Sequence, residues 1–117
     1  MQDIEQCIEF AISKGIRIVR RHQFFWNKDG TLLECDAIGA ILFANNAAGK
    51  GFPKGWLAKL CEITGKDTYW FWRFTQGWNY NNRLTITRKD PKTKEWVTKE
   101  DKVSRFGNDL AKKYVKV

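Results

Sequence analysis

Close-set metal ligands are missing from these 117 residues: there is one His, and the three cysteines Cys7, Cys35 and Cys61 stand far apart. An odd, scattered set argues against a disulfide framework. Zinc sites need paired ligands such as C-x₂₋₄-C, and no two of Cys7, His22, Cys35 and Cys61 lie closer than 13 positions. No stretch approaches the roughly 20 apolar residues that span a bilayer. The start, Met1-Gln2-Asp3-Ile4-Glu5, is acidic and has no signal-peptide pattern. Repeats, linkers and low-complexity tracts are also lacking. The expectation is one domain over residues 1–117, cytoplasmic and away from membranes, with reduced thiols.

Groups for catalysis are equally scarce. A Cys35–His22 pair with Asp36 nearby is the best nucleophile on offer, and nothing beyond residue type marks it. Carboxylates for acid–base work would come from Asp29, Glu34, Asp36, Glu100 and Asp101, all in turn or cap contexts. Ala47-Ala48-Gly49-Lys50-Gly51 falls short of a phosphate loop: Ala44 replaces the first Gly, Gly51 replaces Ser or Thr, and a helix precedes it. Lys50 and Lys54 would at most join a loose basic surface. The reading is a binder with no cofactor, not an enzyme.

What is abundant is aromatic rings and positive charge. The 6 Trp, 8 Phe and 3 Tyr exceed what so small a core can hide, so some rings should reach the surface. Net charge is +8, and it is uneven. Residues 1–40 carry 5 Lys/Arg against 6 Asp/Glu, residues 41–82 carry 5 against 2, and residues 83–117 carry 11 against 5. A basic excess of +6 in the last third favours a polyanionic partner.

Periodicity orders the elements. Residues 3–14 predict a helix capped by Asp3, striped by Ile4, Ile8, Ala11 and Ile12, and stopped by Gly15. Residues 16–26 predict a strand, 27–30 a turn and 31–35 its return. Asp36 caps a helix over 37–44, and 47–55 is a loop. Trp56, Leu57, Leu60, Cys61 and Ile63 mark a helix closed by Gly65. Asp67 or Thr68 caps the next, over 69–76, which Gly77 closes. Residues 83–87 alternate as a strand, 88–94 turn, and 95–97 return. Thr98 with Asp101 resembles a capping box for a last helix burying Val103, Phe106, Leu110 and Tyr114.

This order predicts an α+β, mainly helical fold of winged-helix type: a helix-turn-helix over 55–64 and 67–77, a β-hairpin wing over 83–98, and an additional C-terminal helix. The wing would offer Arg83, Arg88, Lys89, Lys92 and Lys94 to phosphates, opposed by Asp90 and Glu95 alone. A recognition helix needs polar side chains for base edges. Here Arg73 and Gln76 stand among rings, so stacking by Trp72, Trp78 and Tyr80 is expected ahead of sequence readout.

Cys35-Asp36-Ala37-Ile38-Gly39-Ala40-Ile41 resembles a Cys-Ala-Leu-Gly-Ala-Leu stretch of small bacterial and phage proteins of unknown function, departing at Asp36. The whole pattern is similar to small uncharacterised winged-helix proteins described as nucleic-acid binders. That resemblance implies nucleic acid ahead of sugar as the partner, and DNA is expected ahead of RNA. The alternatives are a protein-interaction or homodimerisation module built on the Trp70–Trp78 region, and a carbohydrate-binding module using Trp78, Tyr80 and the neighbouring Asn residues.

Overall fold

A computed structural model describes residues 3–21, 24–46, 55–82 and 84–115. These form an α+β fold with five helices and two small sheets, and none of those helices is long and apolar enough to cross a membrane.

Helix α1 (Ile4–Ser13) starts where the Asp3 carboxylate accepts the Glu5 amide at 2.8 Å. It ends in a Schellman turn: the Gly15 amide donates to Ile12 O at 2.9 Å and the Ile16 amide to Ala11 O at 3.1 Å. That closure needs a left-handed residue, and Gly15 sits at φ +82.

The strand expected over 16–26 is two short strands, β1 (Arg17–Ile18) and β2 (Phe25–Trp26). Both flank β3 (Leu32–Cys35): β1 runs parallel to it, with Ile18 opposite Cys35, and β2 antiparallel, with Trp26 opposite Leu32. The break has a tertiary cause. Val19 O accepts the Trp78 indole N–H at 3.1 Å, and Arg20 donates to Trp78 O at 3.0 Å. The chain is drawn across to a later helix instead of continuing in the sheet.

Helix α2 (Ala37–Ala44) is the hub of the core, with every residue from Ala37 to Leu42 buried. An all-apolar helix must be covered on every side, and α1 packs along it, Phe10 meeting Phe43 at 5.9 Å. Asp36 caps α2 by accepting the Gly39 amide at 2.9 Å. Burial pushes its carboxyl up to about 7, against the pull of the Gly39 and Ile38 amides.

Helix α3 (Trp56–Thr64) and helix α4 (Thr68–Tyr80) follow, joined through Gly65-Lys66-Asp67, with the Asp67 carboxylate accepting the Trp70 amide at 2.7 Å. Contrary to the sequence reading, α4 does not stop at Gly77. It runs to Tyr80 and closes on Asn81 in the left-handed region. Gly77 instead faces helix α5 (Lys102–Tyr114), where a Cβ would strike the Ser104 carbonyl. Gly107 answers it from α5, where a Cβ would strike the Phe74 carbonyl. The two helices cross backbone to backbone.

That crossing also corrects the expected face of α5. Ser104, Gly107, Asn108, Leu110 and Ala111 are buried, while Val103 and Tyr114 are half-buried and Phe106 is exposed. Small residues take the contact because nothing larger fits. The cap is Asp101, not Thr98: its carboxylate accepts the Ser104 amide at 3.0 Å. Thr98 lies within the second sheet, an isolated antiparallel pair of β4 (Thr85–Lys89) and β5 (Trp96–Glu100).

Candidate nucleic-acid interface

The β4–β5 hairpin stands out from the body. All of β5 is exposed, and in β4 only Ile86 is partly covered. Asp90-Pro91 builds the tip: Asp at the first position of a turn and Pro at the second suit a type I turn. The Asp90 carboxylate accepts the Lys92 amide at 2.8 Å, and Asp90 and Glu95 close the loop through a 2.7 Å backbone bond. Lys92 and Lys94 are exposed at this tip.

Cross-strand register assigns the two faces. Lys89 pairs with Trp96, and Thr87 bonds Thr98 at 2.8 Å on one face. Trp96 is 71% exposed. Ile86, Arg88, Val97 and Lys99 form the other face. That second face walls a groove of about 570 Å³ whose far side is made by Arg73 and the start of α5. Arg88, Lys89, Lys99 and Lys102 border the groove, and none of them makes an ion pair among the described residues.

The base of the hairpin is anchored firmly. The Asp101 amide donates to Leu84 O at 2.8 Å, and the Asp101 carboxylate accepts Arg73 Nη1 at 2.7 Å. Burial raises the Asp101 carboxyl, but the Ser104 amide and the Arg73 guanidinium outweigh it and hold the group below its ordinary range. Arg73 is therefore committed to a buried pair and shapes the groove from behind.

Helix α4 divides its rings between two faces. Trp70, Phe74 and Trp78 stack inward at four-residue spacing, 5.3 Å and 6.0 Å apart. Tyr69, Trp72, Gln76 and Tyr80 follow the outer face at three- and four-residue steps. Tyr69 and Trp72 are 60% and 51% exposed, and their rings stack at 6.1 Å with planes 11° apart. The Arg73 guanidinium lies 4.8 Å from the centre of the Tyr69 ring, joining the ring pair to the groove wall. Tyr80 is exposed beside Arg21, and Gln76 is half-buried and accepts from Asn82 at 2.9 Å.

No family model, curated protein or solved structure matches the chain.

Set against the expected site, Arg88, Lys89, Lys92 and Lys94 share the hairpin, and Trp72 and Tyr80 share the outer face of α4. Trp78 is a correction. It is 1% exposed, and its indole is spent on Val19, so no ligand can stack on it. The sugar platform of Trp78 beside Tyr80 fails for the same reason. Arg83, His22, and the 47–54 segment with Lys50 and Lys54 lie outside the described residues.

Tyr69, Trp96, Lys99 and Lys102 were not picked out from sequence. Helical spacing from Trp72 marks Tyr69, and strand alternation from Arg88 through its partner Val97 marks Lys99. Among the described residues no three His, Cys, Asp or Glu side chains gather to hold a metal. Cys7 and Cys35 are buried, and desolvation pushes the Cys35 thiol up to about 12, far from a usable thiolate.

Proposed function

We propose that the chain binds nucleic acid without catalysis, DNA ahead of RNA, by neutralising backbone phosphates with the β4–β5 hairpin and the groove behind it. The observation that carries this reading is the set of four cations, Arg88, Lys89, Lys99 and Lys102, bordering one groove without ion-pair partners among the described residues. Lys92 and Lys94 extend the same charge to the tip. In this reading α3 and α4 are the helix pair of a winged-helix arrangement, the hairpin is its wing, and α5 is the addition. The outer face of α4 offers rings instead of base-reading side chains, so contact is to backbone and not to sequence. No cofactor is called for. The buried thiols of Cys7 and Cys35 suit a cytoplasmic setting.

Fluorescence anisotropy with labelled oligonucleotides at low and moderate salt tests the reading. Binding should be strong at low salt and weaken as salt rises, since each neutralised phosphate releases counterions. Absence of binding at low salt sinks it.

A second reading rests on the exposed Tyr69, Trp72 and Tyr80 along one helix face: a homodimer or protein-interaction surface. Light scattering distinguishes the two. A mass that rises with protein concentration and reverts to the monomer in Trp72→Ser favours the interaction surface.

A further inference from the structure

We infer that the bound nucleic acid is an unpaired strand, with bases stacking on the Tyr69–Trp72 ring pair while its phosphates follow the hairpin groove. This rests on the nucleic-acid reading above and narrows it to a substrate class. In a duplex the base faces are stacked on one another, and only edges and phosphates are open to a protein. Exposed aromatic planes are of use to a base only when that base is unpaired.

The ring pair is built for that use in three respects. Its planes are nearly parallel, 11° apart, and both rings are more than half exposed. It is held in place, because Arg73 lies against Tyr69 and is itself tied to the buried Asp101 at 2.7 Å. A ring already ordered in the unbound protein loses little freedom when a base arrives. It also adjoins the cationic groove, since Arg73 touches Tyr69 on one side and lines the groove on the other. A groove of about 570 Å³ is of small-molecule scale and has room for part of one strand. Charge complementarity supplies the direction: phosphates to Arg88, Lys89, Lys99 and Lys102, bases to the rings.

Three labelled DNA probes of equal length test the inference by anisotropy in low salt: a single strand, its duplex, and an abasic strand with the same phosphates and no bases. The single strand should bind roughly tenfold or more tighter than the abasic strand, the span of one stacking contact, and tighter than the duplex. Trp72→Leu, at an exposed position, should bring the single strand down to the abasic level and leave the duplex unchanged. Equal affinity for the abasic strand, or tighter binding of the duplex, overturns the inference while leaving the nucleic-acid reading standing. Failure of all three probes to bind overturns that reading itself.

Discussion

Arg73 and Asp101, 28 residues apart in sequence, meet at 2.7 Å where α4, the foot of the hairpin and the start of α5 converge. Asp101 is buried, and the same carboxylate caps α5. One pair therefore holds the β4–β5 hairpin against the helical body.

Arg73→Met should be among the more damaging single changes. Removing one partner of a buried ion pair costs about 3–5 kcal/mol. Arg73 Nε is buried with no partner among the described residues, and that cost disappears with the side chain. The loss should thus fall near the lower end, about 3 kcal/mol. Urea denaturation of both proteins measures it, and a change below about 1 kcal/mol would place the pair among weak surface bridges.

Gly107→Ala sets two effects of opposite sign against each other. Alanine is the better helix former by about 1 kcal/mol. Its methyl group would enter the Phe74 carbonyl on α4, a backbone atom that moves only if the helices separate. Overpacking of this kind costs about 1–3 kcal/mol or more. Clash should win, and thermal melts of Gly107→Ala and Gly77→Ala should both fall below the unmodified protein.

Asp36 makes stability depend on pH in a direction opposite to most carboxylates. Its pKa is about 7 when folded, against about 3.9 in an unfolded chain. The folded state holds the proton more tightly, so this contribution is full below about pH 4 and is lost as pH rises to about 7. Asp101, held low, acts the other way: its contribution is present above its unfolded pKa and fades as pH falls further into the acid range. Asp36→Asn keeps a capping side chain and should remove the decline between about pH 4 and 7. Urea midpoints across that range read it directly, and an unchanged slope would assign the pH dependence elsewhere.

Local chemistry was legible in the sequence, and tertiary contact was not. Asp3 and Asp36 begin their helices as read, and Asp67, one of two candidates with Thr68, begins α4, because a cap is a bond between a side chain and an amide two or three residues on. Beyond Val19 the chain leaves the sheet for a reason no window shows: Val19 O and the Arg20 side chain bond to Trp78, 59 and 58 positions away. The same bonds bury the ring that local pattern had placed outside. Gly77 reads as a helix stop until α5 is brought against it. Phe106, an apolar residue at proper spacing, is displaced outward because Ser104, Gly107 and Ala111 are small enough for a backbone-to-backbone crossing. In the candidate site, charge together with the alternation that marks the hairpin pointed to Arg88, Lys89, Lys92 and Lys94. Their grouping with Lys99, Lys102 and the Tyr69–Trp72 pair depends on strand register and on where Arg73 is tied.

The most direct measurement is the dependence of oligonucleotide affinity on salt, compared between the unmodified protein and Arg88→Ala/Lys89→Ala/Lys99→Ala. Each phosphate-contacting cation contributes about 0.7 to the logarithmic slope on a single strand and about 0.9 on a duplex. The triple variant should bind more weakly with a slope smaller by about 2. An unchanged slope with unchanged affinity would remove the hairpin groove from the binding site.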